Sequence, residues 1–256
     1  MPEPAMFDVA AEAYGRFMGR FAEPLAGPFA DRAGVAAGMY ALDVGCGPGA
    51  LTGELVRRLG SAAVAAIDPS PPFVAATRAR FPEADVRQAV AEQLPFQDDS
   101  FDATLAQLVV HFMTDPVAGL AEMRRVTRRG GRVAACVWDH GGDGGPLSAF
   151  WAAARDLDPD APDERDMPGV REGHLVELAE AAGLTEIEPS TLVVHVGFAS
   201  FDQWWQPFLL GVARVGAYLN QLDASRIAAL RDHCADVMPA APFTVEASAW
   251  CVVGQA

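Results

Sequence analysis

Carboxylates and glycines at close, regular spacing are the residues of this chain best suited to bind a ligand. Asp43 stands two residues before Gly45, and Gly47 and Gly49 follow at alternate positions. Glycine tolerates positive φ and lets a backbone approach a bound molecule closely. Asp68 follows Gly49 by about 20 residues and ends an apolar run, where nucleotide-binding α/β proteins place the acid that binds a ribose. The pattern therefore predicts a site for a ligand that contains a ribose.

The charge of Asp43 indicates which ribose-containing ligand fits. The spacing Gly45-x-Gly47-x-x-Ala50 also satisfies the dinucleotide fingerprint, so a nicotinamide dehydrogenase stays open as an alternative. A carboxylate this close to the glycines would, however, repel a pyrophosphate and attract an ammonium or a sulfonium. S-adenosylmethionine carries both cations and a ribose but no phosphate, and it is the cofactor that we predict.

The elements around these residues predict the start of an open α/β sheet. Residues 39–42 and 62–67 are apolar and predict two short buried strands. Between them, residues 52–59 carry apolar side chains at helical spacing. Strand, glycine turn and helix make the first unit of a doubly wound sheet, and ligands bind in the crevice at the carboxyl ends of its strands.

Three motifs in order over about the first half of the chain carry a family resemblance. They are Leu42-Asp-Val-Gly-Cys-Gly-Pro-Gly49, Ile67-Asp-Pro-Ser70 and Leu94-Pro-Phe-Gln-Asp-Asp-Ser-Phe-Asp102. With them the chain resembles the class I S-adenosylmethionine-dependent methyltransferases, in particular the small-molecule group similar to the enzymes of ubiquinone and menaquinone biosynthesis. The resemblance implies a doubly wound, mainly parallel seven-stranded sheet, with an N-terminal helical lid and a helical cap inserted in the C-terminal half.

The same resemblance implies one methyltransferase domain over residues 1–256. Residues 1–30 would form the lid, and an apolar helical stripe from Phe7 to Phe21 supports this assignment. Residues 38–138 would form the cofactor-binding core. Residues 139–240 would hold a mixed cap and substrate region with the late sheet elements, and residues 241–256 the last strand.

The resemblance also implies a set of residues that bind the cofactor. Val90 stands where the family commonly has an Asp that accepts from the adenine amino group, so we expect the Ala91 N–H and the Glu92 carboxylate to serve the adenine instead. Phe73 would pack on the adenine ring. The full expected set is Tyr14, Asp43, Gly45, Cys46, Gly47, Gly49, Asp68, Pro69, Phe73, Ala91, Glu92, Gln107 and Leu108.

Two histidines follow predicted strands at the mouth of the same crevice. His111 ends a fourth strand predicted over residues 101–110, and His140 follows a fifth predicted over residues 132–138. Methyl transfer needs chiefly the alignment of the acceptor with the methyl carbon. A hydroxyl acceptor also benefits from a general base, by on the order of 10²–10⁴ in rate. His111 and His140 are the candidate catalytic bases, with packing beneath the cap as the alternative for both.

The C-terminal half is rich in aromatic residues. Residues 156–169 are acidic and proline-rich and predict an exposed loop, whereas residues 201–212 predict an aromatic helix of the cap. The aromatic side chains either bind an apolar or aromatic acceptor or pack the interior of the cap. They are Trp138, Phe150, Trp151, Phe198, Trp204, Trp205 and Tyr218.

The composition argues against several other partners. A formal net charge of −15 disfavours nucleic acid, because binding to a phosphate backbone depends on Lys and Arg. The four cysteines show no pairing typical of a metal site, so we expect no metal and a reduced, cytoplasmic setting. We expect no membrane span and no secretion signal. The sequence leaves a monomer and a homodimer open.

Two further hypotheses are therefore kept beside the dehydrogenase. The first is methyl transfer from S-adenosylmethionine to a small, apolar or aromatic molecule at oxygen or nitrogen. The second is a protein of the same fold that binds S-adenosylmethionine but catalyses a different reaction or has a structural role. The sequence does not identify the methyl acceptor.

Overall fold

A seven-stranded sheet forms the centre of the molecule. The computed structural model describes residues 11–256, and Phe7 of the predicted lid lies outside them. The strands are β1 (Ala41–Val44), β2 (Val64–Asp68), β3 (Asp85–Gln88), β4 (Phe101–Gln107), β5 (Thr127–Trp138), β6 (Thr185–Phe198) and β7 (Phe243–Gln255). Their order is β3-β2-β1-β4-β5-β7-β6. The strands β1 to β5 pair in parallel, and β7 is antiparallel to both of its neighbours. This topology confirms the predicted fold class.

Helices cover both faces of the sheet. They are α1 (Ala11–Tyr14), α2 (Arg20–Arg32), α3 (Ala50–Leu59), α4 (Pro71–Arg80), α5 (Pro116–Val126), α6 (Ser148–Leu157), α7 (His174–Ala181), α8 (Phe201–Trp205), α9 (Ala213–Leu219) and α10 (Ala224–Val237). One face packs α2 and α3 against Ala41, and the other packs α5 and α7 against Leu42 and Val44. All four residues of β1 are buried, as expected for a parallel strand covered on both sides. No helix within residues 11–256 is long and apolar enough to cross a membrane.

The fourth strand is shorter than the sequence predicts. It ends at Gln107, and Leu108 turns the chain out of the sheet with a φ of 63°. A 3₁₀ turn at Val110–Phe112 follows and contains His111. The prediction of a strand to Val110 is wrong because Leu108 and Val110 are buried in a turn, where a short apolar run has the same pattern as in a buried strand.

Three helices are inserted between the last two strands, within the region 139–240 where the sequence predicts a cap together with late sheet elements, and we call them the cap. Residues 199–242 connect β6 to β7 and contain α8, α9 and α10. The single aromatic helix predicted over residues 201–212 is wrong, because α8 is followed by a 3₁₀ turn at Gln206–Leu210 and by Gly211 with a φ of 73°. Pro207 lacks a backbone donor and disfavours a continued α-helix at this point. The cap is therefore built from short segments that change direction.

Candidate functional site

The turn between β1 and α3 is hydrogen-bonded to the end of β2. The N–H groups of Gly45 and Cys46 both donate to the carbonyl of Ile67, at 2.8 and 2.9 Å. Because β1 and β2 are parallel neighbours, this contact brings the glycine turn and Asp68 to the same edge of the sheet.

The three glycines of the turn have different surroundings. Gly45 and Gly49 have φ values of 73° and 91°, and a Cβ would lie 2.5 Å from Val109 at the first and 2.9 Å from Phe81 at the second. At Gly47, where φ is 51°, a Cβ would meet no atom of residues 11–256 within 4 Å. The first two glycines thus allow close packing of the protein, whereas the backbone of Gly47 borders open space that a ligand can fill.

Asp68 is held by two backbone N–H groups at the end of β2. Its Oδ2 accepts from Gly47 at 2.9 Å and its Oδ1 accepts from Ser70 at 2.8 Å. Burial raises the pKa of Asp68 to about 6, although these two bonds act in the opposite direction. The carboxylate is therefore fixed in place before any ligand binds, and each oxygen keeps a further lone pair for a donor.

Two buried acceptor atoms beside the glycine turn have no partner among residues 11–256. Oδ2 of Asp43 accepts from Thr52 at 2.6 Å, but Oδ1 is unpaired. Nε2 of Gln107 donates to the carbonyl of Ala22 at 2.9 Å, but Oε1 is unpaired. Burial raises the pKa of Asp43 to about 7. Unpaired buried acceptors are costly, and a cation with N–H donors would satisfy both of them.

These groups line one cleft, with an empty volume of about 700 Å³ including its open mouth. Ten of the predicted cofactor-binding residues lie on its wall: Tyr14, Asp43, Gly45, Cys46, Gly47, Asp68, Pro69, Phe73, Gln107 and Leu108. The wall also contains residues that the sequence analysis did not propose as cofactor contacts, namely Ala22, Pro48, Ala50, Leu51, Val109 and Phe112. Within the described part of the chain, no Arg or Lys lines the cleft. Two carboxylates and no basic group suit S-adenosylmethionine and disfavour a pyrophosphate.

The other three predicted residues lie off this wall. Gly49 begins helix α3 and serves the packing described above. Ala91 is buried in the core on the α5 face of the sheet. Oε1 of Glu92 accepts from the N–H groups of Thr114 and Asp115, at 2.8 and 3.2 Å, and so holds the start of α5. The expected adenine contacts of Ala91 and Glu92 stay a prediction.

The N-terminal helices close the cleft from one side. Tyr14 lies against Phe73, with ring centroids 5.2 Å apart. Burial is the main cause that raises the pKa of Tyr14, and the charges of Asp68 and Glu164 add to it. Tyr14 therefore stays a neutral phenol between two acidic groups.

A second pocket adjoins the cleft and shares Tyr14, Leu108 and Phe112 with it. Its empty volume is about 380 Å³, including space open to solvent. The rest of its wall consists of Phe17, Met18, His111, Trp138, His140, Leu147, Glu164 and Ala213. The structure thus brings the two predicted histidines together in one apolar, partly aromatic chamber, which we call the inner pocket.

The polar atoms of the inner pocket are poorly paired. His111 Nδ1, Trp138 Nε1 and Glu164 Oε2 are buried without a hydrogen-bond partner in the described chain. Glu164 Oε2 lies 3.5 Å from His140 Nδ1, and the rings of His111 and His140 are 6.1 Å apart. Burial lowers the pKa of both histidines. Both are therefore neutral at physiological pH and available as hydrogen-bond acceptors.

Glu164 is a residue that the sequence analysis missed. It lies in the acidic segment predicted as an exposed loop, yet only 3% of its surface is exposed. Arg155 binds the neighbouring Asp163 carboxylate at 3.1 Å, and Arg214 donates to the Asp163 carbonyl at 3.0 Å. These long-range contacts fold the segment inward. The local composition gives no signal for them. Residues 158–169 form a loop, but the prediction that this segment is exposed is wrong at Glu164.

Most of the aromatic residues pack on one another. The ring of Phe208 lies 4.9 Å from Phe150 and 4.7 Å from Trp204, and Trp151 lies 5.7 Å from Tyr218. Of the seven aromatic residues proposed for acceptor binding, Trp138 lines the inner pocket. The packing alternative therefore describes the cap aromatics better than acceptor binding does.

Comparison with known sequences finds relatives of the first half of the chain. Residues 42–135 match the family described as a methyltransferase domain. An uncharacterized methyltransferase of Mycobacterium tuberculosis is 38% identical over 104 residues, which cover 41% of this chain and 41% of that protein. A demethylmenaquinone methyltransferase of a Mycobacterium species is 41% identical over 105 residues, which cover 40% of this chain and 43% of that protein. The match thus spans about two fifths of the length of these relatives.

A solved structure shares the fold over nearly the whole chain. The YcgJ protein of Bacillus subtilis superposes with a TM-score of 0.60 and 19% identity, covering 91% of this chain and 97% of that one. At this identity the likeness shows the fold alone. Residues 42–135, which contain the glycine turn and Asp68, are thus similar in sequence to methyltransferase domains, in agreement with the resemblance that the motifs indicate.

Proposed function

We propose that this protein transfers a methyl group from S-adenosylmethionine to a small apolar or aromatic molecule, at oxygen or nitrogen. The observation that supports this most directly is that Tyr14, Leu108 and Phe112 line both the cleft and the inner pocket. A cofactor in the cleft and an acceptor in the inner pocket would therefore lie side by side at these three residues. Such juxtaposition accounts for much of the rate in a displacement reaction.

The residues of the cleft fit the parts of the cofactor by their chemistry. The free lone pairs of Asp68 would accept from the ribose hydroxyls, and Phe73 would pack on the adenine. The unpaired oxygens of Asp43 and Gln107 would receive the cationic amino-acid end. When bound, the cofactor supplies an electrophilic methyl group. The protein supplies alignment, exclusion of water and, for a hydroxyl acceptor, a base.

The N-terminal helices form part of the lid that we propose for residues 1–30. Gln107 bonds to the carbonyl of Ala22 in α2, and Arg20 donates to the carbonyl of Gln203 in the cap at 3.0 Å. The helix α2 is therefore linked both to the wall of the cleft and to the cap. Closure of this segment over the ligands would keep water from the reacting atoms.

Calorimetry with S-adenosylhomocysteine and S-adenosylmethionine tests the cofactor. Asp68→Ala leaves two ligand hydroxyls poorly paired, so we expect affinity to fall about tenfold to a hundredfold, the equivalent of roughly 1.5–3 kcal/mol. Asp236→Ala removes an exposed carboxylate of α10 and should leave the affinity unchanged. A folded protein that binds neither compound at hundreds of micromolar refutes the proposal.

Transfer of a labelled methyl group tests the reaction. Incubation with a library of phenols, amines and acids should yield labelled product from at least one class. Tight cofactor binding without transfer to any member would favour the alternative that this fold binds the cofactor for another purpose. Competition with NAD should leave S-adenosylhomocysteine binding unaffected, and displacement by NAD would restore the dehydrogenase hypothesis.

A further inference from the structure

The two histidines of the inner pocket have unequal electrostatic surroundings. His140 has a carboxylate partner, because Glu164 Oε2 lies 3.5 Å from its Nδ1 and both side chains are more than nine-tenths buried. His111 has no such partner among residues 11–256, and its Nδ1 makes no hydrogen bond. A buried imidazole beside a carboxylate can take up a proton at much lower cost than one without.

The ring of His140 is held by its neighbours. The N–H of His140 donates to the carbonyl of Trp138 at 2.9 Å, which makes a tight turn at the end of β5. A Cβ at Gly145 would lie only 2.9 Å from His140 Nδ1, so this glycine lets the backbone pack against the edge of the imidazole. Nδ1 is the ring nitrogen that lies 3.5 Å from the Glu164 carboxylate, and the negative charge favours a hydrogen on this nitrogen. Nε2 is then the basic nitrogen of the neutral ring.

The surroundings of His111 oppose proton uptake. Burial lowers the pKa of His111 well below its ordinary value, and His140 and Arg214 lower it further. At His140, burial lowers the pKa, but the charges of Glu164, Asp139 and Asp163 oppose this effect. His111 therefore stays neutral when a proton is released in the pocket.

We propose that His140 is the general base of the reaction, positioned by Glu164, and that the acceptor carries an ionisable hydroxyl group, the kind of acceptor that benefits from a base. This inference rests on the proposed methyl transfer and names its substrate class. Glu164 acts through His140 and is a positioning residue. His111 remains neutral and hydrogen-bonds to the acceptor.

The reaction balances without any further reactant. The hydroxyl oxygen forms a bond to the methyl carbon while the carbon–sulfur bond breaks and its electron pair stays on sulfur. The hydroxyl proton passes to Nε2 of His140, and the carboxylate of Glu164 stabilises the imidazolium. The proton then leaves to solvent, and the products are a methyl ether and the neutral thioether.

Histidine titration by NMR tests the pair without any acceptor. In wild-type protein labelled with ¹⁵N-histidine, the neutral ring of His140 should carry its hydrogen on Nδ1. This tautomer is observed in the wild-type protein itself. In Glu164→Gln its titration midpoint should move to lower pH, because a carboxylate that favours the imidazolium is lost. Glu172→Gln, an exposed position with the same charge change, should leave the midpoint in place. A hydrogen on Nε2, or a midpoint that does not respond to Glu164→Gln, overturns the assignment.

The groups that could also move this midpoint are known from the structure. Those with a charge acting on His140 are Glu164, Asp139, Asp163 and Arg214, with His111 across the pocket and Asp143, Arg155 and Arg165 lining the adjoining cavity. Since Glu172→Gln leaves all of them in place, a shift confined to Glu164→Gln reports on the pair itself.

Turnover of simple phenols tests the substrate class. With labelled cofactor, wild type should methylate phenol, and Glu164→Gln should lower kcat on the order of 10²-fold with little change in S-adenosylhomocysteine affinity. With 4-nitrophenol, which is largely ionised at mildly alkaline pH, the loss should be much smaller because no base is needed. An equal loss on both phenols, or transfer to aniline but to no phenol, overturns the inference while methyl transfer itself stands. Absence of cofactor binding would instead refute the proposed function.

Discussion

Replacing Gly47 by alanine tests whether the open space beside the glycine turn is cofactor space. A Cβ at this position meets no atom of the described chain within 4 Å, so the added methyl group enters the cleft. The φ of 51° also imposes left-handed backbone strain on alanine. The variant should therefore lose some stability and, separately, lose affinity for the cofactor.

The size of each effect follows from the structure. Left-handed strain on a residue with a Cβ costs about 1–2 kcal/mol, which for a chain of this size lowers Tm by a few degrees. A methyl group forced into a filled ligand site costs about 1–3 kcal/mol more in the complex alone. That corresponds to a rise of about fivefold to a hundredfold in the Kd for S-adenosylhomocysteine.

Two other glycines separate strain from obstruction. Gly34 has a φ of 73° with no atom within 4 Å of a Cβ, and it is exposed in the loop after α2. Gly34→Ala should show the strain alone, with an unchanged Kd. Gly49→Ala should destabilise the protein more than either variant, because its Cβ would lie 2.9 Å from Phe81. Thermal unfolding and calorimetry on the three variants give both quantities. If Gly47→Ala binds S-adenosylhomocysteine as tightly as Gly34→Ala does, the space beside Gly47 is not cofactor space.

Three further predictions concern other residues of the site and its support. The pKa values of Asp43 and Asp68 in the folded protein are raised to about 7 and about 6. The folded protein therefore binds these two protons more tightly than the unfolded chain does, so their contribution to stability is full below about pH 4 and is lost as pH rises through 7. Cationic S-adenosylmethionine should accordingly bind more weakly at pH 5.5 than at pH 8, and Asp43→Asn should abolish part of this dependence in calorimetry. His111→Ala should leave the Kd for S-adenosylhomocysteine within about twofold, since the ring lines only the inner pocket, and a change as large as that of Gly47→Ala would place His111 in the cofactor site. Asp115→Ala removes the side chain that accepts from the Ala118 N–H at the start of α5, so the free energy of unfolding should fall by about 0.5–2 kcal/mol in a denaturant titration. An unchanged free energy of unfolding would show that this N-terminal hydrogen bond of α5 does not stabilise the protein.

The cofactor half of the site could be predicted because its signals are local. A strand, alternating glycines and an acid at the end of the next strand specify both the turn and the position of Asp68 within one contiguous segment. The start of α5 also depends on local signals, because Asp115 at the N-cap and Pro116 at the first helical position are typical residues for a helix start. Each of these predictions depends on neighbours in sequence.

The acceptor half could not be predicted in the same way. The burial of Glu164 depends on Arg155 and on Arg214, residues 9 and 50 positions away that no local pattern connects to it. The sequence predicts a strand through Leu108 because a buried turn and a buried strand both give an apolar run. Positions such as these are decided by tertiary packing.

The residues that line the two cavities come from different parts of the chain, and this bears on which substitutions affect each cavity. Every described residue that lines the cofactor cleft precedes residue 113, whereas Trp138, His140, Leu147, Glu164 and Ala213 of the inner pocket come later in the chain. Among the residues that the structure describes, Tyr14, Leu108 and Phe112 line both cavities. We therefore expect substitutions after residue 113 to reshape the inner pocket while they leave the wall of the cleft unchanged.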